Sequence, residues 1–128
     1  MRLTICLAAA VVLAGSSAQL AAKSAPFEIK HTSWTYVDPE KKVKARESID
    51  ADGNYIENAV SGKHIDHGTA VMKDGKACFT SAMTKEGEVC WTTPKNAVAV
   101  GHSFVTRSDK GQKLKVTRIK YTPLKMPG

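Results

Sequence analysis

Two hydrophobic patterns divide the chain. From Leu3 to Ala14 (LTICLAAAVVLA) the residues are nearly all apolar. Further on, apolar residues tend to alternate with polar ones in short segments between glycine-bearing polar clusters: Asp50–Asn54, Ser61–Lys63, Lys73–Lys76, Lys85–Glu88 and Asp109–Gln112. Glycine supplies the positive φ that tight hairpins need. Gly53, Gly62, Gly75 and Gly87 follow one another at 9, 13 and 12 residues, the rhythm of an antiparallel meander.

The segments between them predict strands. Val43, Ala45 and Ile49 share a face broken by Glu47, and Ile65, Thr69 and Val71 share one interrupted by His67. Phe79, Val89 and Trp91 fall on one face of a hairpin, with Cys78 and Cys90 on the other. Val98, Val100, His102 and Phe104 define another face. Leu114 and Val116 alternate with Lys113, Lys115 and Thr117 until the phase slips at Arg118, where a bulge is expected before Ile119 and Tyr121 resume it. Past the first apolar run no window sustains a helical period. The prediction is an all-β domain: a small antiparallel meander or barrel of about eight short strands with one hairpin disulfide. Closure removes the exposed edges that an open meander would leave.

The first apolar run reads as a signal peptide. It follows Met1-Arg2 and precedes Gly15-Ser16-Ser17-Ala18, small residues suited to cleavage after Ala18, with Ala22 and Ala25 as later alternatives. A membrane anchor needs about 20 apolar residues, and this run is shorter. Leu13-Ala14-Gly15 opens like a lipoprotein box, but Ser16 has no thiol to acylate. The expected organisation is a signal peptide at 1–18, with cleavage no later than 25, and one β domain at 19–128 with its ordered core at about 27–122. The mature protein is expected to be periplasmic or secreted, and not integral to a membrane.

Cys6 leaves with that leader, so Cys78 and Cys90 are expected to pair, as two cysteines in an exported domain usually do. Free thiols or half a metal site are the alternatives, but zinc calls for four ligands and no CxxC pair is present.

Charge adds one feature. Without Arg2 the chain holds 18 Lys and Arg against 12 Asp and Glu, and residues 95–128 hold eight of those bases against Asp109 alone. Lys113, Lys115, Arg118 and Lys120 are therefore candidate anion-binding residues, with Arg107, Lys110 and Lys125 extending the patch. The plain alternative is that strand lysines protect edges and keep the protein soluble. Nucleic acid is disfavoured as a partner, because few aromatics interleave with these charges.

Chemistry is sparse. GxSxG and SxxK motifs and phosphate-cradling glycine loops are absent from the sequence. His64, Asp66 and His67 are the residues a metal would use. On a regular strand His64 and Asp66 point one way and His67 the other, so we read a solvated hairpin and no metal. His102 is read as hydrogen-bonded inside the barrel or at its mouth. Glu47, Asp50, Glu57 and Asp66 are the carboxylates from which an acid–base pair would be assembled, and so near turns they are expected to be solvated. Trp34, Tyr36, Tyr55, Phe79, Trp91 and Phe104 are read as core. With no aromatic cluster on any one segment, a filled interior is expected and no cofactor.

The runs Asp52-Gly53-Asn54-Tyr55, Asp66-His67-Gly68-Thr69, Lys73 to Phe79 (KDGKACF) and Cys90-Trp91-Thr92 resemble a group of small exported bacterial proteins, over roughly residues 34–122. The resemblance implies Sec export and a periplasmic location, and it supplies no activity. In architecture alone, a small disulfide-bearing barrel is similar to periplasmic inhibitors of proteases and lysozymes, though none of their inhibitory motifs is matched. The function expected is non-enzymatic binding. The alternatives are inhibition of a secreted protease or lysozyme, through a loop or terminus stiffened by Pro26, Pro94, Pro123 or Pro127, and association with an anionic envelope polymer or surface through the basic C-terminal strand. Which envelope protein or polymer is the partner is left open.

Overall fold

Alternation of side chains along each segment and a tight turn after most of them produce eight antiparallel strands in a computed structural model that describes residues 25–127. The expected leader lies outside the described residues. The strands are β1 (Thr32–Val37), β2 (Lys44–Ile49), β3 (Asn54–Ala59), β4 (His64–Lys73), β5 (Lys76–Ser81), β6 (Glu88–Thr92), β7 (Ser103–Arg107) and β8 (Lys113–Ile119). Among the described residues there is no helix.

The sheet order is β6-β5-β4-β3-β2-β1-β8-β7, so the meander curls until the first and last strands pair, Ser33 opposite Ile119 and Thr35 opposite Thr117. The seam between β6 and β7 is closed more thinly. A bridge joins Trp91 to Ser108, the Asp109 amide donates to the Cys90 carbonyl at 3.0 Å, and the Thr106 hydroxyl donates to the Thr92 carbonyl at 2.7 Å. The result is a nearly closed barrel with the expected disulfide, Cys78 to Cys90, tying β6 to β5 beside that seam.

One end is plugged. The segment before β1 crosses under the barrel, held by the Phe27 amide on the Lys95 carbonyl at 3.1 Å and by the Pro26–Asn96 bridge. Phe27 and Ile29 are thereby buried against Trp34, Ile49, Tyr55 and Val116. The rings of Phe27, Trp34 and Phe104 stand 5.6–5.9 Å apart in tilted and edge-on pairs, geometries that favour aromatic packing. The chain after β8 lies along the outside, where the Thr122 and Leu124 amides donate to the hydroxyls of Ser33 and Ser48. That cover explains why two outward serines are buried.

Three local readings are corrected. β4 pairs Glu57 with Asp66 but Asn58 with His64, leaving Ile65 as an extra residue in a bulge. The inward residues of this strand are therefore Asp66, Gly68, Ala70 and Met72, while Thr69 and Val71 are exposed. β8 has no slip: Arg118 keeps the inward phase opposite Trp34. Residues 95–102 form no strand apart from the Asn96 bridge, and only Val98 of the expected apolar face there packs against the core before Phe104.

Candidate functional site

The expectation of a filled interior is overturned. Inside the barrel lies a cavity of about 380 Å³. Seven of the chain's eight aromatic residues line it, contributed by the segment before β1 (Phe27) and by strands β1, β3, β5, β6 and β7. Trp34 and Phe104 sit near the plugged end, and Tyr55 meets Phe79 edge-on at 5.3 Å. The β1–β2 and β5–β6 loops rim the opposite end, through residues such as Pro39, Lys41, Met83 and Gly87.

The carboxyl groups carried by strands gather on one wall, while the facing side offers only neutral polar groups such as Thr92 and Thr106. Glu47 on β2 pairs in register with Glu57 on β3, and Glu57 with Asp66 on β4. All three side chains face the cavity, so three carboxyl groups form a row across adjacent strands. Glu47 and Glu57 are 8% and 7% exposed, which corrects the expectation that these carboxylates are solvated. Only Asp50 matches it: it stays in the β2–β3 turn, accepting the amides of Asp52 and Asn54, and these bonds hold its pKa below the usual value.

Hydrogen bonds fix most of the row. The Tyr36 hydroxyl donates to Glu47 Oε2 at 2.9 Å. The hydroxyls of Tyr55 and Ser81 donate to the two oxygens of Asp66 at 2.8 and 2.6 Å. Glu57 Oε1 is buried and has no hydrogen-bond partner among the described residues. Burial first, then repulsion from Glu47, pushes the Glu57 pKa up to about 9. Burial raises Glu47 to about 7 against the opposing pull of the Tyr36 bond. Tyr36 and Tyr55 are raised too, chiefly by burial and then by neighbouring carboxylates.

The other sequence candidates scatter. The bulge at Ile65 puts His64 and His67 on one outer face, with His64 Nε2 3.0 Å from His67 Nδ1 and His64 Nδ1 2.8 Å from Asn58 Oδ1. Asp66 turns inward, so the expected facing of these three residues is reversed. The one trio of potential ligands close enough to share an ion among the described residues is Cys78, Glu88 and Cys90, and both its thiols are spent in the disulfide. His102 is exposed just before β7 and does not line the cavity, so it is not inside the barrel.

Of the four candidate anion-binding residues, Lys113, Lys115 and Lys120 are exposed. Arg118 leaves the group, because its guanidinium donates to the Val98 carbonyl at 2.6 Å and its inward position buries Nε. The register assembles a different basic face. Arg107 opposes Lys113, Lys115 opposes Val105, and Lys44 and Arg46 continue it on β2 beyond Val37 and Thr35. No acidic side chain points outward from β7, β8, β1 or β2.

Sequence reasoning named Glu47, Glu57 and Asp66 as carboxylates that could pair but expected them solvated, and it missed their inward alignment and the cavity. Glu47 did interrupt an apolar face, which was the signal for an inward carboxylate. No protein-family model, curated protein or solved structure matches the chain.

Proposed function

We propose that this protein is an exported, non-enzymatic binding protein, periplasmic or secreted, whose ligand is a small molecule held inside the barrel. The observation that carries the reading is the cavity: about 380 Å³, mostly aromatic and aliphatic, with three strand carboxyl groups gathered on one wall. Small-molecule sites have that volume range and that distribution of polarity, and eight-stranded barrels are wide enough to enclose one ligand. The disulfide supports an oxidising compartment. The test is native mass spectrometry of the protein purified from its own envelope. An added mass should appear, and it should vanish in Ala77→Phe, which fills the cavity wall opposite Trp91 in register. A bare mass, or turnover of a substrate abolished by Glu47→Gln, would refute binding as the function.

A second reading has its own observation, the acid-free basic face of Arg107, Lys113, Lys115, Lys44 and Arg46. It supports adhesion to an anionic envelope surface. Cosedimentation with vesicles of phosphatidylglycerol should weaken steeply with salt, and salt-independent or absent binding would remove this reading.

A further inference from the structure

We infer that the ligand carries a positive charge: an organic cation, amine or quaternary ammonium, whose charged end meets the Glu47–Glu57–Asp66 row while its apolar body occupies the aromatic end of the cavity. The inference rests on the proposal that the interior is a ligand site.

The charge inventory comes first. Six acidic residues line the cavity (Asp38, Glu40, Glu47, Glu57, Asp66 and Glu86) and one basic residue does, Lys41 in a rim loop. The protein as a whole carries a net charge of +7. Glu40, Lys41 and Glu86 are exposed on the rim and Glu86 pairs with Lys110, so the acidic groups inside are Asp38, Glu47, Glu57 and Asp66, opposite in sign to the protein's net charge when ionised.

Placement is the second argument. Like charges directly opposite on neighbouring strands destabilise a sheet, and here two such pairs stand side by side, inward. No cationic side chain points at them from the facing wall, where β7 and β8 contribute Phe104, Thr106, Leu114 and Val116. Ionising such a row is unfavourable in an empty barrel and favourable around a cation. Third, Glu57 is 7% exposed, and its Oε1 has no hydrogen-bond partner among the described residues. Groups buried in that state cost free energy until a donor arrives. Finally, the ring faces of tryptophan and tyrosine attract cations, and aromatic cages recognise quaternary ammonium groups.

The groups that face the row are Tyr36 from β1, Glu47 from β2, Tyr55 and Glu57 from β3, Asp66 from β4, Ser81 from β5, and Asp38 and Lys41 from the β1–β2 loop. Without a ligand the row retains protons, since Glu47 titrates near 7 and Glu57 near 9. A bound cation takes the place of those protons, so binding releases them and tightens as pH rises through that window.

The experiment is a titration with three benzyl probes of similar size: benzyltrimethylammonium, benzyl alcohol and phenylacetate. Calorimetry reads the affinity and tryptophan fluorescence confirms the site, since Trp34 and Trp91 line the cavity. The cation should bind at least about tenfold tighter than either other probe, with affinity rising from about pH 6 to about pH 9. Glu57→Gln and Glu47→Gln should each weaken the cation about tenfold or more and leave benzyl alcohol unchanged. Asp109→Asn, in an outer turn, should change neither. Equal binding of cation and alcohol, or preference for phenylacetate, overturns the charge inference while leaving the cavity a ligand site. Absence of cation binding at about 10 mM overturns it as well. Whether the ligand-site proposal falls with it is read separately, from the mass of the natively purified protein.

Discussion

Replacing Glu57 by glutamine should stabilise the empty barrel at neutral pH and remove much of its pH dependence. The carboxyl has an ordinary pKa near 4.5 in the unfolded chain and about 9 in the barrel. Because the value is raised on folding, the native state holds a proton that the unfolded chain gives up. Stability is fully present below about pH 4.5 and is lost as pH climbs through the folded value. At about 1.4 kcal/mol per pH unit, the loss is about 3 kcal/mol by pH 7 and under about 1 kcal/mol at pH 5. Glu47, raised to about 7, loses a similar amount over the same interval. The two repel each other, so their losses overlap, and about 2–4 kcal/mol is the expected drop between pH 5 and 7. That is a large share of the roughly 5–15 kcal/mol that holds a domain folded. Urea denaturation at both pH values, followed by tryptophan fluorescence, measures it. Glu57→Gln should leave stability at pH 5 nearly unchanged and add about 2 kcal/mol at pH 7, or roughly 10 °C in melting temperature. A wild-type protein as stable at pH 7 as at pH 5, or a glutamine variant that gains nothing at pH 7, would refute the reasoning.

Four further outcomes follow from the geometry. Replacing both Cys78 and Cys90 by alanine frees β6 along its disulfide and should cost about 3 kcal/mol, read as a lower denaturation midpoint that reductant no longer affects. Gly68→Ala would drive a methyl into the Thr80 carbonyl oxygen on β5, a collision of backbone rather than of a movable side chain. Its expected cost is about 2–4 kcal/mol, and a stability within about 0.5 kcal/mol of the wild type would show that the two strands can separate freely. Arg118→Gln should lower stability by about 1–3 kcal/mol through its lost bond to Val98 and leave binding to anionic vesicles intact. Lys113→Glu with Lys115→Glu should do the reverse.

Much of the scaffold was legible because it obeys local rules. The Cys78–Cys90 hairpin shows its facing in the alternation of Phe79, Val89 and Trp91, and the pairing follows the same register. What escaped was non-local. The bulge at Ile65 reverses His64 relative to Asp66, and a one-residue shift of that kind leaves no periodic trace in ten residues. The aromatics come one or two to a strand, so their convergence exists only once the sheet has curled. The carboxylates sit near turns in the sequence, where solvation is the default, yet the pleat turns Glu47, Glu57 and Asp66 inward. Arg118 reads as part of a basic run from the residues beside it, and only Trp34 opposite fixes its inward phase.

The pairing of β1 with β8 has a consequence for how the chain acquires its structure. Ser33 and Ile119 must find each other across nearly the whole domain, whereas the pairings from β1 through β6 join neighbours in the chain. The early strands can form hairpin by hairpin, and Cys78 and Cys90 meet within one of them. β1 nevertheless remains an open edge until the final hairpin, Ser103–Ile119, arrives to latch against it. Contacts of such range slow folding to milliseconds or seconds, and an unpaired edge is where one chain joins another in the meantime. The last two strands thus act as the clasp of the barrel, and the interior has no enclosed space until they close it.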